Sequence, residues 1–238
     1  MTGRWKSGYP RLYFDPGRIE SFRRQLSEHA GLRTEWRKWL DKADQMLDEA
    51  FIDEAYADEV DSQHGRYFRP GQQILKLAQY LAPAYQVTGE EKYARKLREG
   101  LLYYADYRKW CGKGCARMDP AWHSELTTAC FCHGFAVGYD CIRDYLDERE
   151  RRTIREALVA KGVLPILRDW IFPETRIHAM DSMGHNWWSV CVSKAGLAAL
   201  RIPELERAGS FFIHTFYPSS REHLNVNFGD GDIHKQAS

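Results

Sequence analysis

Three stretches of this chain are apolar on nearly every face a helix would present. They are "QQILKLAQYLAPAYQ" from near Gly71, "ELTTACFCHGFAVGYDCIRDYL" from near Ser124 and "WWSVCVSKAGLAALRI" from near Asn186. A helix that is apolar all round has to be enclosed by protein. Each stretch is followed by a helix charged on one side only. The first partner opens at Thr88-Gly-Glu-Glu91, a capping box, and runs to about Trp110. The second, "ERERRTIREALVAKG", opens at Asp147 with Glu150 three residues on, and the third opens at Pro203. The inner stretches start at roughly 71, 124 and 186, so helical hairpins recur every 50 to 60 residues. No strand alternation is visible. The pattern predicts an all-α fold, an incomplete (α/α) toroid with inner helices covered by outer ones. Another all-α bundle is the alternative; a solenoid would show a shorter period and clearer self-similarity.

Ahead of the hairpins, residues 1–60 read as an N-terminal helical pair. Asp15 is an N-cap, Pro16 the first helical position and Gly31 a stop. A second helix runs from Thr34 to about Phe51, with Trp36, Trp39, Leu40, Ala43 and Leu47 on one stripe. Residues 53 to 70 read as a loop, 71–218 as three hairpins and 219–238 as a terminal loop, all in a single domain spanning 1–238. Four hairpins do not comfortably close a ring, and "REHLNVNFGDGDIHKQAS" ends without a cap, so the chain reads as a fragment. An incomplete ring would expose apolar inner helices, so a homodimer or poor solubility would be unsurprising.

The bulk chemistry narrows function. Lysine and arginine total 34 against 33 acids, a net charge of +1. Nucleic-acid binding wants a strong basic excess, so it is not expected. No apolar run approaches a membrane span, and "MTGRWKSGYPRLYF" carries no signal-peptide segment. With reduced thiols, this places the chain in the cytoplasm, or outside it if a leader has been trimmed. Of the six cysteines, Cys130, Cys132, Cys141 and Cys191 sit in helical apolar text and read as buried hydrophobes. Cys111 and Cys115 lack the second pair that a zinc site needs, and "GDGD" lacks the rest of a calcium loop. No metal and no cofactor are expected.

The residues leading into the three inner helices resemble one another in kind. Before the first stand His64, Arg66, Tyr67, Phe68 and Arg69; before the second Arg117, Asp119, Trp122, His123 and Glu125; before the third His185, Asn186, Trp187 and Trp188. Parallel inner helices would bring these clusters to one rim. Rings, imidazoles, amides and guanidinium forks together suit a sugar acid, and helix N-termini add potential favourable to an anion. Each residue also has a plainer reading. Asn186 and Ser124 are good caps, Glu125 suits a first helical turn, and Arg66 and Arg69 suit a solvated loop. Trp187 and Trp188 are adjacent, so one of them belongs in the core. His133, inside "CFCHGF", reads as a hydrogen-bonded core histidine.

The segments "YPRLYFDPGRIESFRRQL", "SELTTACFCHGFAVGYDCI" and "HNWWSVCVSKAGLAAL" resemble the heparinase II/III-like polysaccharide lyases and their alginate lyase relatives. The resemblance spans nearly the whole chain. It implies an N-terminal toroid followed by an antiparallel β-sandwich, which would lie outside this chain, and cleavage of an anionic, uronate-containing polysaccharide by β-elimination. By that resemblance Asn186 and His185 hold the substrate carboxylate. His123 joins them in catalysis, and Trp122, Glu125, Arg66, Arg69, Tyr67, Trp187 and Trp188 bind substrate. The family's tyrosine, expected after a "DG" segment, has no clean match beyond Asp230-Gly231; Tyr217 and His234 are substitutes outside the motif. Two rivals stay open. A toroidal glycoside hydrolase would need two of Asp119, Glu125 and Asp181 facing each other across the cleft. A non-catalytic glycan-binding helical domain would need neither.

Overall fold

In the computed structural model, residues 10, 12–60, 68–172, 174–177 and 186–200 are described, with the side chains of 58–60 excepted. The architecture is all-α, and no strand occurs among the described residues. The elements are α1 (Pro16–Glu28), α2 (Ala30–Gln45), α3 (Glu54–Val60), α4 (Phe68–Thr88), α5 (Glu91–Asp106), α6 (Lys113–Ala116), α7 (Leu126–Ile142), α8 (Glu148–Ala157), α9 (Leu164–Trp170) and α10 (Asn186–Ala199). No helix among the described residues is long and apolar enough to cross a membrane.

Several sequence expectations hold to the residue. Asp15 caps α1 through the Arg18 amide, with Pro16 at the first position. Asp147 and Glu150 form the reciprocal capping box of α8. The third inner helix starts at Asn186. Other boundaries move. Gly31 does not stop a helix: α1 ends at Glu28, His29 is extended, and Gly31 lies inside α2. The stretch 53 to 70 is no plain loop, because it holds α3 and the first turn of α4. Thr88 ends α4 instead of capping α5. Its hydroxyl donates back to the Ala84 carbonyl, and Gly89 takes the left-handed turn that separates the two helices (φ 83°). The third outer helix, expected from Pro203, lies outside the described residues.

The two apolar helices α4 and α7 lie side by side and run parallel. Gly71 faces Thr127, Gly134 faces Ile74, and Gln86 donates to the carbonyl of Cys141, so positions advance together along both helices. A side chain at Gly134 would put its Cβ 3.0 Å from the backbone of Ile74 and Leu75. Any larger residue would have to push the two backbones apart. On α7 every residue except Leu126, Cys130 and His133 is buried. Those three exceptions fall at helical spacing and mark a single accessible stripe.

Further helices cover other faces of this pair. Leu97 and Leu101 of α5 meet Gly138 of α7. Trp110 stacks on Phe131 at 5.0 Å and tilts against Phe135 at 4.4 Å, while its indole N–H donates to the Tyr104 carbonyl. Burying a ring system of this size contributes several kcal/mol. Arg98 of α5 is paired with Glu150 of α8. The helix that opens at Asp147 continues past the quoted "ERERRTIREALVAKG". A π-helical turn, Leu158–Val163, carries it on into α9. The reason is local: a Cβ at Gly162 would lie 2.6 Å from the Cys132 sulfur and 2.9 Å from the Trp110 ring. That glycine serves close packing, not termination.

Candidate functional site

The lead-in to α7 is held down by one acid. Asp169 of α9 is buried, and its carboxylate takes four donors. The backbone amides of His123 and Ser124 each reach Oδ2 at 2.7 Å, and the Ser124 hydroxyl reaches it at 2.9 Å. His123 Nδ1 lies 2.9 Å from Oδ1. A carboxylate accepts, so Nδ1 is the donor of this contact, and in the neutral imidazole Nε2 is the acceptor nitrogen. The His123 side chain is 60% exposed while Asp169 is 1% exposed, so the imidazole projects outward from a fixed, buried anchor. Trp170 donates its indole N–H to the Ser124 hydroxyl at 3.1 Å, completing the set. Ser124 is therefore not the helix cap. Glu125 occupies that position, and its backbone N–H donates to Thr128 Oγ1.

Helix α10 runs parallel to α7, as α4 does. Trp122, just before α7, meets Trp187 in the first turn of α10 edge to face, with ring centroids 6.1 Å apart. Farther along, burial pushes the Cys191 thiol well above its ordinary value, and the Glu125 charge adds to the rise. Burial pushes the Cys130 thiol up to about 11, with Glu125 adding to the rise and Lys194 opposing it. The starts of α4, α7 and α10 thus share one end of the molecule. At that rim stand exposed Arg69, outward-facing His123, half-buried Trp187 and exposed Asn186. Trp188 is buried, so of the tryptophan pair it is the core member. Glu125, expected to line a cleft, is fully buried at the α7 cap. This also removes it from any exposed carboxylate pair with Asp119. Arg66, Tyr67, His185 and Asp181 lie outside the described residues.

A second feature was not anticipated. A cavity of about 1000 Å³ opens between α1, α2 and α4 and reaches the accessible stripe of α7 at His133. Phe22, Trp36, Trp39 and Tyr80 wall it, and Tyr13 closes one side. The Tyr13 hydroxyl and His133 Nε2 are 3.0 Å apart. Burial lowers His133 to about 4, and the neighbouring Lys194 charge adds to the effect, so the ring is neutral near pH 7. His133 is hydrogen-bonded as expected, but it faces a cavity instead of solid core. Eight residues separate it from Glu125, about 12 Å along α7.

Asp169 was missed in sequence. Its signal is the one acid, beside Arg168, in the run "VLPILRDWIF", which is apolar elsewhere. Cys111 and Cys115 are both buried, and no group of three potential ligands that could hold a metal occurs among the described residues. No known protein family matches this sequence, and no curated protein matches it significantly.

Proposed function

We propose that this chain is the helical, toroidal portion of a polysaccharide lyase of the heparinase II/III type. Its substrate is a uronate-containing glycan bound across the rim where α4, α7 and α10 begin. The observation that carries the reading is the meeting of the second and third lead-ins. Trp122 touches Trp187, and this sets the anchored His123 and Asn186 at one end of parallel helices. β-Elimination needs two things at one place: a donor that stabilises the charge building on the uronate carboxylate, and a base for the C5 proton. Asn186, with His185 beside it in sequence, supplies the first. His123 Nε2, freed by the hold of Asp169 on Nδ1, supplies the second. The base takes the C5 proton, the released electron pair forms the C4–C5 double bond, and the C4–O4 bond breaks. The imidazolium returns its proton to the departing oxygen. Arg69 adds cationic potential, and Trp122 and Trp187 offer ring faces to the sugar.

The test is direct. The full chain is incubated with heparan sulfate, chondroitin sulfate, hyaluronan and alginate, and the ultraviolet absorbance of unsaturated uronate is followed. One substrate should give product. Asn186→Ala should lower turnover by roughly 10²-fold or more without changing the circular dichroism spectrum. Absence of product from every glycan, or full activity in Asn186→Ala, overturns the assignment.

A further inference from the structure

We propose that the cavity between α1, α2 and α4 is a separate carbohydrate site, selective for uncharged pyranose residues. Its walls mix aromatic and aliphatic side chains, and the rings are held by one another. Trp39 leans on Tyr80 at 4.7 Å and directs its indole N–H to the Tyr80 carbonyl, while Phe22 meets Trp36 edge to face at 5.4 Å. Rings fixed in this way lose little entropy on binding. Tyr13 and Trp39 keep 47% and 38% of their surface exposed, so ring surface remains for the C–H face of a sugar.

The polar groups at the cavity are of the neutral, hydrogen-bonding kind. Gln25 and Gln79 bring carboxamides, and Tyr13 with His133 brings a hydroxyl and an unprotonated imidazole. Two lining residues carry charge, and each is matched on its own helix or cap. Arg18 pairs with Asp15 at 3.2 Å, and Glu35 pairs with Lys38 at 2.7 Å. Among the lining residues a sulfate or carboxylate would find one cation, Arg18, already paired with Asp15, whereas the rim offers Arg69 and the helix N-termini. Sugar hydroxyls need only the neutral donors and acceptors present, and pyranose faces need the rings. The volume, about 1000 Å³, lies at the top of the range usual for ligand sites and accommodates more than one sugar ring.

This site does not depend on the lyase reading, and its test measures binding without turnover. Isothermal titration uses uncharged hexasaccharides of glucose, mannose, xylose and N-acetylglucosamine, a heparan sulfate hexasaccharide, and an anilinonaphthalene dye as an apolar probe. At least one uncharged hexasaccharide should bind saturably, with an affinity insensitive to salt. Trp39→Ala should weaken it by about tenfold or more, and Tyr13→Phe, which removes only a hydroxyl, should weaken it less while leaving the melting curve unchanged. No binding by any uncharged sugar overturns the proposal. So does binding confined to the anionic sugar or to the dye, or uncharged-sugar binding that both variants leave intact.

Discussion

Helix α4 meets two partners in two different ways. Against α7 it presents Gly71 and Ile74 to Thr127 and Gly134, and the backbones nearly touch. Against α1 and α2 it presents Leu75, Gln79 and Tyr80 to Phe22, Trp36 and Trp39, and a cavity of about 1000 Å³ remains. Small residues close one seam and large rings prop the other open. The open side is fastened at its edges instead. Arg23 of α1 donates to the Gln86 and Val87 carbonyls at the end of α4, and the Leu12 amide donates to Asp140 of α7. A helix can thus carry a core seam and a binding wall at once, provided the wall is anchored at its margins.

Substitutions can break or sharpen this contrast. The largest effect is expected at tryptophans. Trp110→Ala in the closed region should cost about 3–5 kcal/mol in urea denaturation, whereas exposed Trp39→Ala at the open wall should cost about 1 kcal/mol or less. Equal losses would mean the cavity wall is as well packed as the core. Gly134→Ala comes next, at about 2–3 kcal/mol, because the new methyl meets backbone that cannot swing aside. Asp169→Asn should cost about 2 kcal/mol, since an amide cannot accept from all four donors and one is left facing its NH₂ group.

Smaller effects follow at the open side. His133 titrates near 4 in the fold and near 6.5 unfolded. The unfolded chain therefore binds the proton first as pH falls. The contribution of His133 is complete above pH ~6.5 and is lost progressively down to pH ~4. It is on the order of 1 kcal/mol after discounting for partial exposure. The stability gap between wild type and His133→Asn should narrow across that window, and a constant gap would contradict the burial. Smallest is Gly31→Ala. A Cβ added at Gly31 inside α2 would meet nothing within 4 Å, so alanine should stabilise by ~0.5–1 kcal/mol.

The same contrast explains what was legible in the sequence. The all-apolar helices could be read because burial on every side leaves a compositional trace, and α7 is the clearest case. Caps with local chemistry, Asp15 and Asp147, could be read because both partners sit within one turn. A glycine misled, since Gly31 looks like a stop but lies inside α2, where an added Cβ would meet nothing within 4 Å. Long-range polar contacts left almost no trace. Asp169 acts on residues 45 and 46 positions away, and Tyr13 meets His133 across 120. For the rim, residue kinds pointed to Trp122, His123 and Asn186, but nothing local distinguished Glu125 as buried or His123 as anchored.

The parallel course of α4 and α7 has a kinetic consequence. Parallel neighbours cannot be joined by a tight turn, and the close approach of Gly134 to Ile74 links residues about sixty positions apart. Helices α4 and α5 can pair early, because only Gly89 and Glu90 separate them. The α4–α7 seam has to wait until a long loop is closed, and its entropy is spent before the seam repays it. Refolding of this chain should then be limited by docking of α7 onto a preformed α4–α5 hairpin, with helix formation itself already complete.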